Sequence, residues 1–542
     1  MKALLLGVCL AAFLPAALAV SKEDQVTMLG PICDAAAPPP IAGPHRLVRV
    51  TGMGNDRLAV DTASPEAQAW FDYGLTLARS FEHGDAILAF QKAEALDPAC
   101  SLCVWGEAWA RGPTINFGVS PGQTATNLAL AQKAQGLARP DGSPMIKALE
   151  AALIDRYRDP GQAGAGDLAY AHDLDAMTKA DPANVEIAVF DAEAWLICEN
   201  DGDRAAPARA VAVLQPLLAS NPNASGLLHF YVHATEEAGT PELAEPYAAR
   251  LAQLAPMASH MVHMPAHTYY RVGRYEDAAW ANVAALETDR AYAEKTSFPT
   301  PLGGLMYHFH DILFGIGSAM MSGDGDVALQ FVRQFNQDFP APATYDPRAQ
   351  QAAMAVWEAY GRFAPPAEVL AAPGVAAARP NLEAMRHYAR GEADLRLGRV
   401  SDARAEAERV AVPGDGPAVV KIAGLVLRGD ADLQAGKPAE AAESFRAAAT
   451  LQDRFTQSDP PPWWFPVRRS LAEALMRQGD AAGAMREATL VLQFWKRDPV
   501  TLEIRARARE ALHQPGAAED HRLAVEGWRG KVDLAKVPDG KA

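Results

Sequence analysis

Cysteine is scarce in this chain, with five residues in 542. Positive charge is in deficit: 50 Lys and Arg stand against 66 Asp and Glu, a formal net charge of −16. An acidic surface repels phosphate backbones, so nucleic acid is excluded as a general partner. Beyond the first twenty residues no apolar run is long enough to cross a bilayer. No window alternates apolar and polar residues as a strand would. Ser/His/Asp, Cys/His, Walker-type and dinucleotide motifs are missing from any suitable context. What remains is 49% hydrophobic and 21% charged, the balance of a soluble globular protein. The length exceeds one compact core and points to several units or one repeating array.

The N-terminus reads as residues 1–19 of a signal peptide. Lys2 precedes an apolar run from Ala3 to Ala16, and Ala17-Leu18-Ala19 is an A-x-A cleavage site. The expectation is a periplasmic or secreted protein with no membrane span after cleavage. Four cysteines then remain: Cys33, Cys100, Cys103 and Cys198. An even count in an oxidising compartment favours disulfides, and four allow three pairings. Cys100-Ser-Leu-Cys103 has C-x-x-C spacing, but no second such pair completes a zinc ribbon. A bridge tying Cys33 onto the array is the expectation. Residues 20–62 form an irregular arm, with the Ala/Pro run Ala35–Pro40 and the turn-rich Thr51–Asp56.

A repeat begins after the arm. Trp70, Gly74, Ala86, Phe90, Ala93 and Pro98 fall at the fourth, eighth, twentieth, twenty-fourth, twenty-seventh and thirty-second places of a unit starting at Ala67. This resembles the tetratricopeptide repeat (TPR), in which small residues let two antiparallel helices touch and large ones fill the seam between units. The resemblance implies an all-α solenoid of helical hairpins. Gly239 with Ala244 and Gly273 with Ala278 set units from Ser225 and Ser259, offset by the family's 34 residues. Gly323 and Ala328 set one from Phe309, after an insertion around Phe298–Gly304. Gly391, Gly398 and Ala403, then Gly429, Gly436 and Ala441, then Gly479 and Ala484 mark later units. Proline clusters at 340–342, 365–366 and 373 suggest a joint. The expected organisation is an N-terminal array over 63–340, a helical linker over 341–380, a C-terminal array over 381–530 and a tail over 531–542. Asp459–Trp464 is expected to be a rigid loop whose tryptophans pack or cover something.

The register gives the histidines a direction. His229 and His233 take the fifth and ninth places of the unit from Ser225. His260, His263 and His267 take the second, fifth and ninth of the next, and His310 the second of the unit from Phe309. Steps of three, four and seven residues put such side chains on one helix face. In TPR proteins that face lines the concave groove, so the resemblance implies six imidazoles from three adjacent helices converging there. Helices about 8–10 Å apart can share an ion with bonds of about 2 Å. Nearby methionines (Met257, Met261, Met264, Met306, Met320 and Met321) would add soft ligands and favour copper, with zinc second, though most fall at seam-facing places. Glu236, Tyr270 and Arg271, at twelfth and thirteenth places, are candidates to support the ligands or to bind a substrate's polar group. Glu236 and Glu237 together also fit a solvated helix face. Pro265 should kink its helix, at about 3 kcal/mol in an ordinary interior, or else start a shortened helix and leave His260 on a loop. His308 lies outside the lining register. His45, His83, His172, His387, His513 and His521 read as surface or turn residues.

A narrower resemblance rests on Phe81–Ala86, Cys103–Ala108, Gly112–Asn116 and His260-Met261-Val262-His263-Met264-Pro265-Ala266-His267. These segments, across residues 65–330, are similar to a group of exported bacterial TPR proteins. That group carries H-x-V-H-M-P-S-H, a preceding H-x-x-x-H-A and a later H-N-x-H-F. The last motif departs here, with Leu313 where its second histidine would stand, and His308 is the candidate substitute. Three functions fit: an exported metal-binding TPR protein, a copper-dependent oxidoreductase using the same site, and a metal-free scaffold. A small molecule or a peptide would occupy the groove, and a protein partner would dock on the arrays.

Overall fold

The computed structural model describes residues 46–534 apart from 163, 201, 376–378, 411–415, 455–459 and 533. The expected signal peptide, Cys33 and most of the expected tail lie outside the described residues. Among the described residues every regular element is helical, and successive helices pair as hairpins joined by short turns. The architecture is an all-α tetratricopeptide-repeat solenoid.

The hairpins close for a local steric reason. Gly74 and Phe90, Gly315 and Phe331, and Gly429 and Phe445 each stand sixteen residues apart, one on each helix of a pair. A Cβ on these glycines would lie 2.8, 2.2 and 2.5 Å from the partner ring. Only a bare backbone lets the aromatic ring fill the crossing. Between the two helices the chain reverses through a left-handed residue. Gly239, Gly273, Gly323, Gly398, Gly436 and Gly479 all take φ between 71° and 84° there. In the unit from Ala67 the equivalent place holds Phe81, at φ 64°.

Pro265 interrupts the hydrogen-bond ladder without turning the chain out of line. Ser259–His263 and Pro265–Val272 are separated by Met264, whose φ of −50° and ψ of −36° stay helical. The His260 loop expected as one alternative does not occur.

Both ends of the solenoid fold back onto the histidine-bearing units. In the arm, Asn55 and Asp56 bond Ser225 and the backbone of Gly226, and the Gly52 carbonyl accepts from Met257 N. From the other end, Arg497 packs against Gly273, Trp528 packs against Gly323, and Arg529 N donates to the Ser322 carbonyl. Trp463 and Trp464 are buried, with the Arg362 and Arg469 guanidinium groups over the Trp464 ring. No helix among the described residues is long and apolar enough to cross a membrane.

The cysteine expectation is corrected within the described residues. Cys100 and Cys103 pair with each other, with a Cα–Cα distance of 5.4 Å, so the bridge pins one helix N-terminus rather than joining distant segments. Cys198 is buried in the helix Val185–Asn200 and takes no part in it.

Replacing Gly429 by Ala should lower stability by about 1–3 kcal/mol, because the new methyl meets the Phe445 ring. Chemical denaturation measures this. An unchanged midpoint would show that the hairpin crossing has room to spare.

Candidate metal centre

The fold places the six histidines in two groups of three. His229 and His233 sit one turn apart on Ser225–Glu237, and His260 reaches them from the next repeat. His229 Nε2 stands 3.1 Å from both His233 Nε2 and His260 Nε2. His263 and His267 repeat the pattern, and His310, on His308–Ser322, completes it. His263 Nε2 lies 2.8 Å from His267 Nε2 and 3.1 Å from His310 Nε2. Each group holds three potential ligand nitrogens within 4.8 Å of one another. Both follow one rule: places five and nine of one repeat, and place two of the next.

The outward nitrogens of the second group are anchored. His263 Nδ1 stands 2.6 Å from Asn282 Oδ1, and Asn282 Nδ2 donates to the Ala278 carbonyl at 2.8 Å. That second bond fixes the amide, so Oδ1 faces the imidazole and His263 Nδ1–H donates to it. His267 Nδ1–H donates to Glu236 Oε2 at 2.6 Å, and Arg271 Nε donates to Glu236 Oε1 at 2.7 Å. With these protons held outward, the Nε2 atoms of the two rings face each other. The first group is held differently. His229 Nδ1 has no aligned hydrogen bond, although the Arg79 carbonyl leans toward the ring, and His260 Nδ1 has none either.

Aromatic rings wall both groups. Phe81 packs 4.5, 4.8 and 5.6 Å from the rings of His260, His229 and His233. Phe314 lies 5.0, 5.1 and 5.8 Å from His267, His263 and His310. Tyr307 touches His260 and His310, at 4.7 and 6.1 Å, with its hydroxyl accepting from Asn116 Nδ2. Five of the six histidines are buried, and His310 is half-buried. Burial holds the imidazoles neutral: His229 and His310 are pushed down to about 3, and His233, His260 and His263 well below the usual range. Burial would raise Glu236, but His267 and Arg271 outweigh it and bring the carboxyl to about 2. Asp311, 3.3 Å from His263 Nδ1, is driven well above the usual carboxyl range by burial and then by Asp289.

Three nitrogens on one small ion, at bonds of about 2.0–2.1 Å in tetrahedral geometry, would stand about 3.4 Å apart. The two pairs at 2.8–3.1 Å in each group need only a small opening of the rings, and the third pair lies within 4.8 Å.

Several residues stand apart from the sequence expectations. Glu236 is buried against His267 and Arg271, not on a solvated face, while Glu237 is exposed. Tyr270 turns toward the C-terminal repeats, its hydroxyl 3.4 Å from the Trp464 carbonyl and its ring between Tyr275 and Phe314. His308 does not join either group. It is buried between Asp289 and Asp338, at 2.6 and 2.8 Å, and does not substitute for the histidine missing at Leu313. Burial lowers its pKa, but the two carboxylates outweigh this and raise it to about 9. His83 is not a surface residue: it is buried, stacks on Phe81 and is lowered to about 4 by burial. Met261, Met264, Met320 and Met321 lie in the hydrophobic core. Sequence reasoning did not find Asn282, Phe81, Tyr307 or Phe314. Of these only Phe81 carried a signal, as the turn residue of its unit that is not glycine.

No protein-family profile matches the chain, and no curated protein matches it. Among solved structures, it is similar to a tetratricopeptide repeat protein from Parabacteroides merdae, at 14% identity over 56% of this chain and 92% of the other, with a TM-score of 0.31. Human IFIT1, solved as a dimer with m7Gppp-AAAA, aligns at 14% identity over 86% and 91%, with a TM-score of 0.30. The TPR domain of P58(IPK) aligns at 12% over 82% and 98%, with a TM-score of 0.23. Superpositions this loose carry no functional argument, and the repeat assignment rests on the hairpin geometry above.

Phe81 gives a test of how firmly the site is built. A non-glycine residue in left-handed backbone costs roughly 1–2 kcal/mol. Both Phe81→Ala and Phe81→Gly should destabilise the chain by losing a buried ring, by about 3–5 kcal/mol for the alanine. The alanine variant should be the less stable by about 1 kcal/mol, because only glycine relieves the backbone. Equal unfolding free energies would mean that the turn carries no strain.

Proposed function

We propose that this chain is an exported tetratricopeptide-repeat protein that binds a transition metal through the histidines of three successive repeats. His229, His233 and His260 form one ligand set, and His263, His267 and His310 the other. Copper is the first choice and zinc the second. One observation carries the reading. His263 and His267 have their Nδ1 protons committed to Asn282 and Glu236, yet their Nε2 atoms face each other at 2.8 Å, with His310 Nε2 closing on the same point. Two facing imidazole nitrogens at this distance need a proton or a metal ion between them. A single proton satisfies one pair of nitrogens, whereas a metal ion satisfies three.

The donor set is imidazole, which suits copper, zinc, nickel and iron and argues against magnesium or calcium. With the methionines in the core, thioether ligation no longer supports copper. Copper stands first because affinity among divalent ions for nitrogen sites peaks there. Glu236 on His267 is the carboxylate–imidazole pairing that fixes a ligand's tautomer and strengthens it as a donor. Three nitrogens per group leave a coordination position open, as in exchanging or catalytic sites rather than closed structural ones. That open position favours a copper-dependent oxidoreductase as the second reading.

Metal analysis of the purified chain, after incubation with copper or zinc and removal of unbound ion, tests the proposal. The wild-type chain should retain at least one ion and melt at a higher temperature with it than after chelation, since ligand binding to the folded state raises stability. His263→Ala should lower the retained metal while the helical circular dichroism persists. A folded wild-type chain that retains neither copper nor zinc would sink the proposal.

A further inference from the structure

The two groups are copies of one arrangement, displaced by one repeat. The fifth, ninth and second places that supply His229, His233 and His260 supply His263, His267 and His310 one unit later. On the concave side of a solenoid successive repeats crowd together, and the rings show it. The equivalent rings His233 and His267 are 5.3 Å apart, and His260 and His263 are 5.7 Å apart. Within the groups, ring separations run from 4.7 Å for His263–His310 to 6.0 Å for His233–His260. The nearest rings of the two groups are thus no farther apart than rings within a group.

Resting on the metal reading above, we propose that the two groups form one two-ion centre whose ions share a small bridging anion of two or three atoms. The facing rings of the two groups, His233 with His267 and His260 with His263, place ions held by them on the order of 5 Å apart. A single shared oxygen holds two ions about 3.5–4 Å apart, which is too short for this gap. A linear two- or three-atom anion with bonds of about 2 Å to each ion spans it. Each ion has three protein nitrogens and one open position to give to the bridge. Phe81 walls the first group, Phe314 the second, and Tyr307 touches a histidine of each. These rings crowd the gap against a large substrate, so the bridge the proposal requires is a small anion. The half-buried His310 marks the side from which the anion enters.

The two halves are unequal. Asn282 and Glu236 orient the rings of the second group, whereas His229 and His260 in the first have no aligned Nδ1 partner. The second group therefore fills first.

Copper(II) titration of the full chain tests this, with azide as the bridging probe. Bound copper is measured by elemental analysis after desalting, and unpaired spins by electron paramagnetic resonance before and after azide. The proposal expects two coppers per chain, bound in two steps, and loss of most of the spin signal when about one azide per chain is added. His233→Gln and His310→Ala should each hold one copper, with a spin count that azide leaves intact. Glu236→Gln should weaken the first step by about 10- to 100-fold and leave the second nearly unchanged. Two coppers whose spins azide does not couple would overturn the bridge. One copper per wild-type chain would overturn the two-ion centre while leaving the metal reading in place. No retained copper or zinc would remove that reading as well. The wild-type measurements decide these points even if a variant fails to fold.

Discussion

The phase of the helices is the constraint on which everything else hangs. In several units the hairpin closes where a glycine lies under an aromatic ring, as Gly315 does under Phe331 and Gly429 under Phe445. The histidine-bearing units reverse through one residue in left-handed backbone, Gly239, Gly273 or Gly323. These two local demands set the rotation of each helix about its axis. Once that rotation recurs from unit to unit, the second, fifth and ninth places of every first helix face the same hollow. A histidine placed by this rule needs no long-range coincidence to find its partners. The geometry of the hairpins thus decides where the six imidazoles meet.

That meeting is expensive for the empty chain. The imidazoles lose water, and burial keeps them neutral. In the second group the outward nitrogens of His263 and His267 are satisfied and their inward nitrogens face each other at 2.8 Å. In the first, the outward nitrogens of His229 and His260 lack aligned partners. Beside that group, Phe81 holds a left-handed backbone that most sister units give to glycine. Unpartnered nitrogens, closely facing ring nitrogens and a strained turn within a few ångströms of one another mark a site maintained against local stability. The surrounding structure makes this tolerable. Asp56 in the arm bonds both Ser225 and Arg79, and the C-terminal repeats brace the turns at Gly273 and Gly323.

The sequence made legible what depends on period. The all-helical architecture, the turn glycines and the shared face of the six histidines follow from a 34-residue beat and a helix of known pitch. What depends on contacts between distant segments was not legible. Asn282 occupies the twenty-fourth place of its unit, a seam position, and nothing local says that its amide will reach His263. Glu236 sits beside Glu237 in an apparently solvated pair, yet only Glu236 meets Arg271 and His267. Phe81 reaches the first group because the arm docks its unit against Ser225, more than 140 residues further on. The methionines misled in the other direction. Their closeness in sequence to the histidines suggested ligation, but seam-facing places carried them into the core.

The series of ligands also has a physical end. A third group would need histidines at the fifth and ninth places of the unit from Phe309, and those places hold Leu313 and Gly317. Leu313 is buried in the hydrophobic cluster that includes Phe314, so its place serves packing. A Cβ on Gly317 would meet nothing within 4 Å, so backbone crowding does not forbid a side chain there. His310 is therefore the last ligand the repeat can supply, and it completes a group begun in the unit before. Helix phase could have continued the row of imidazoles; the residues at these two places are what confine it to two groups.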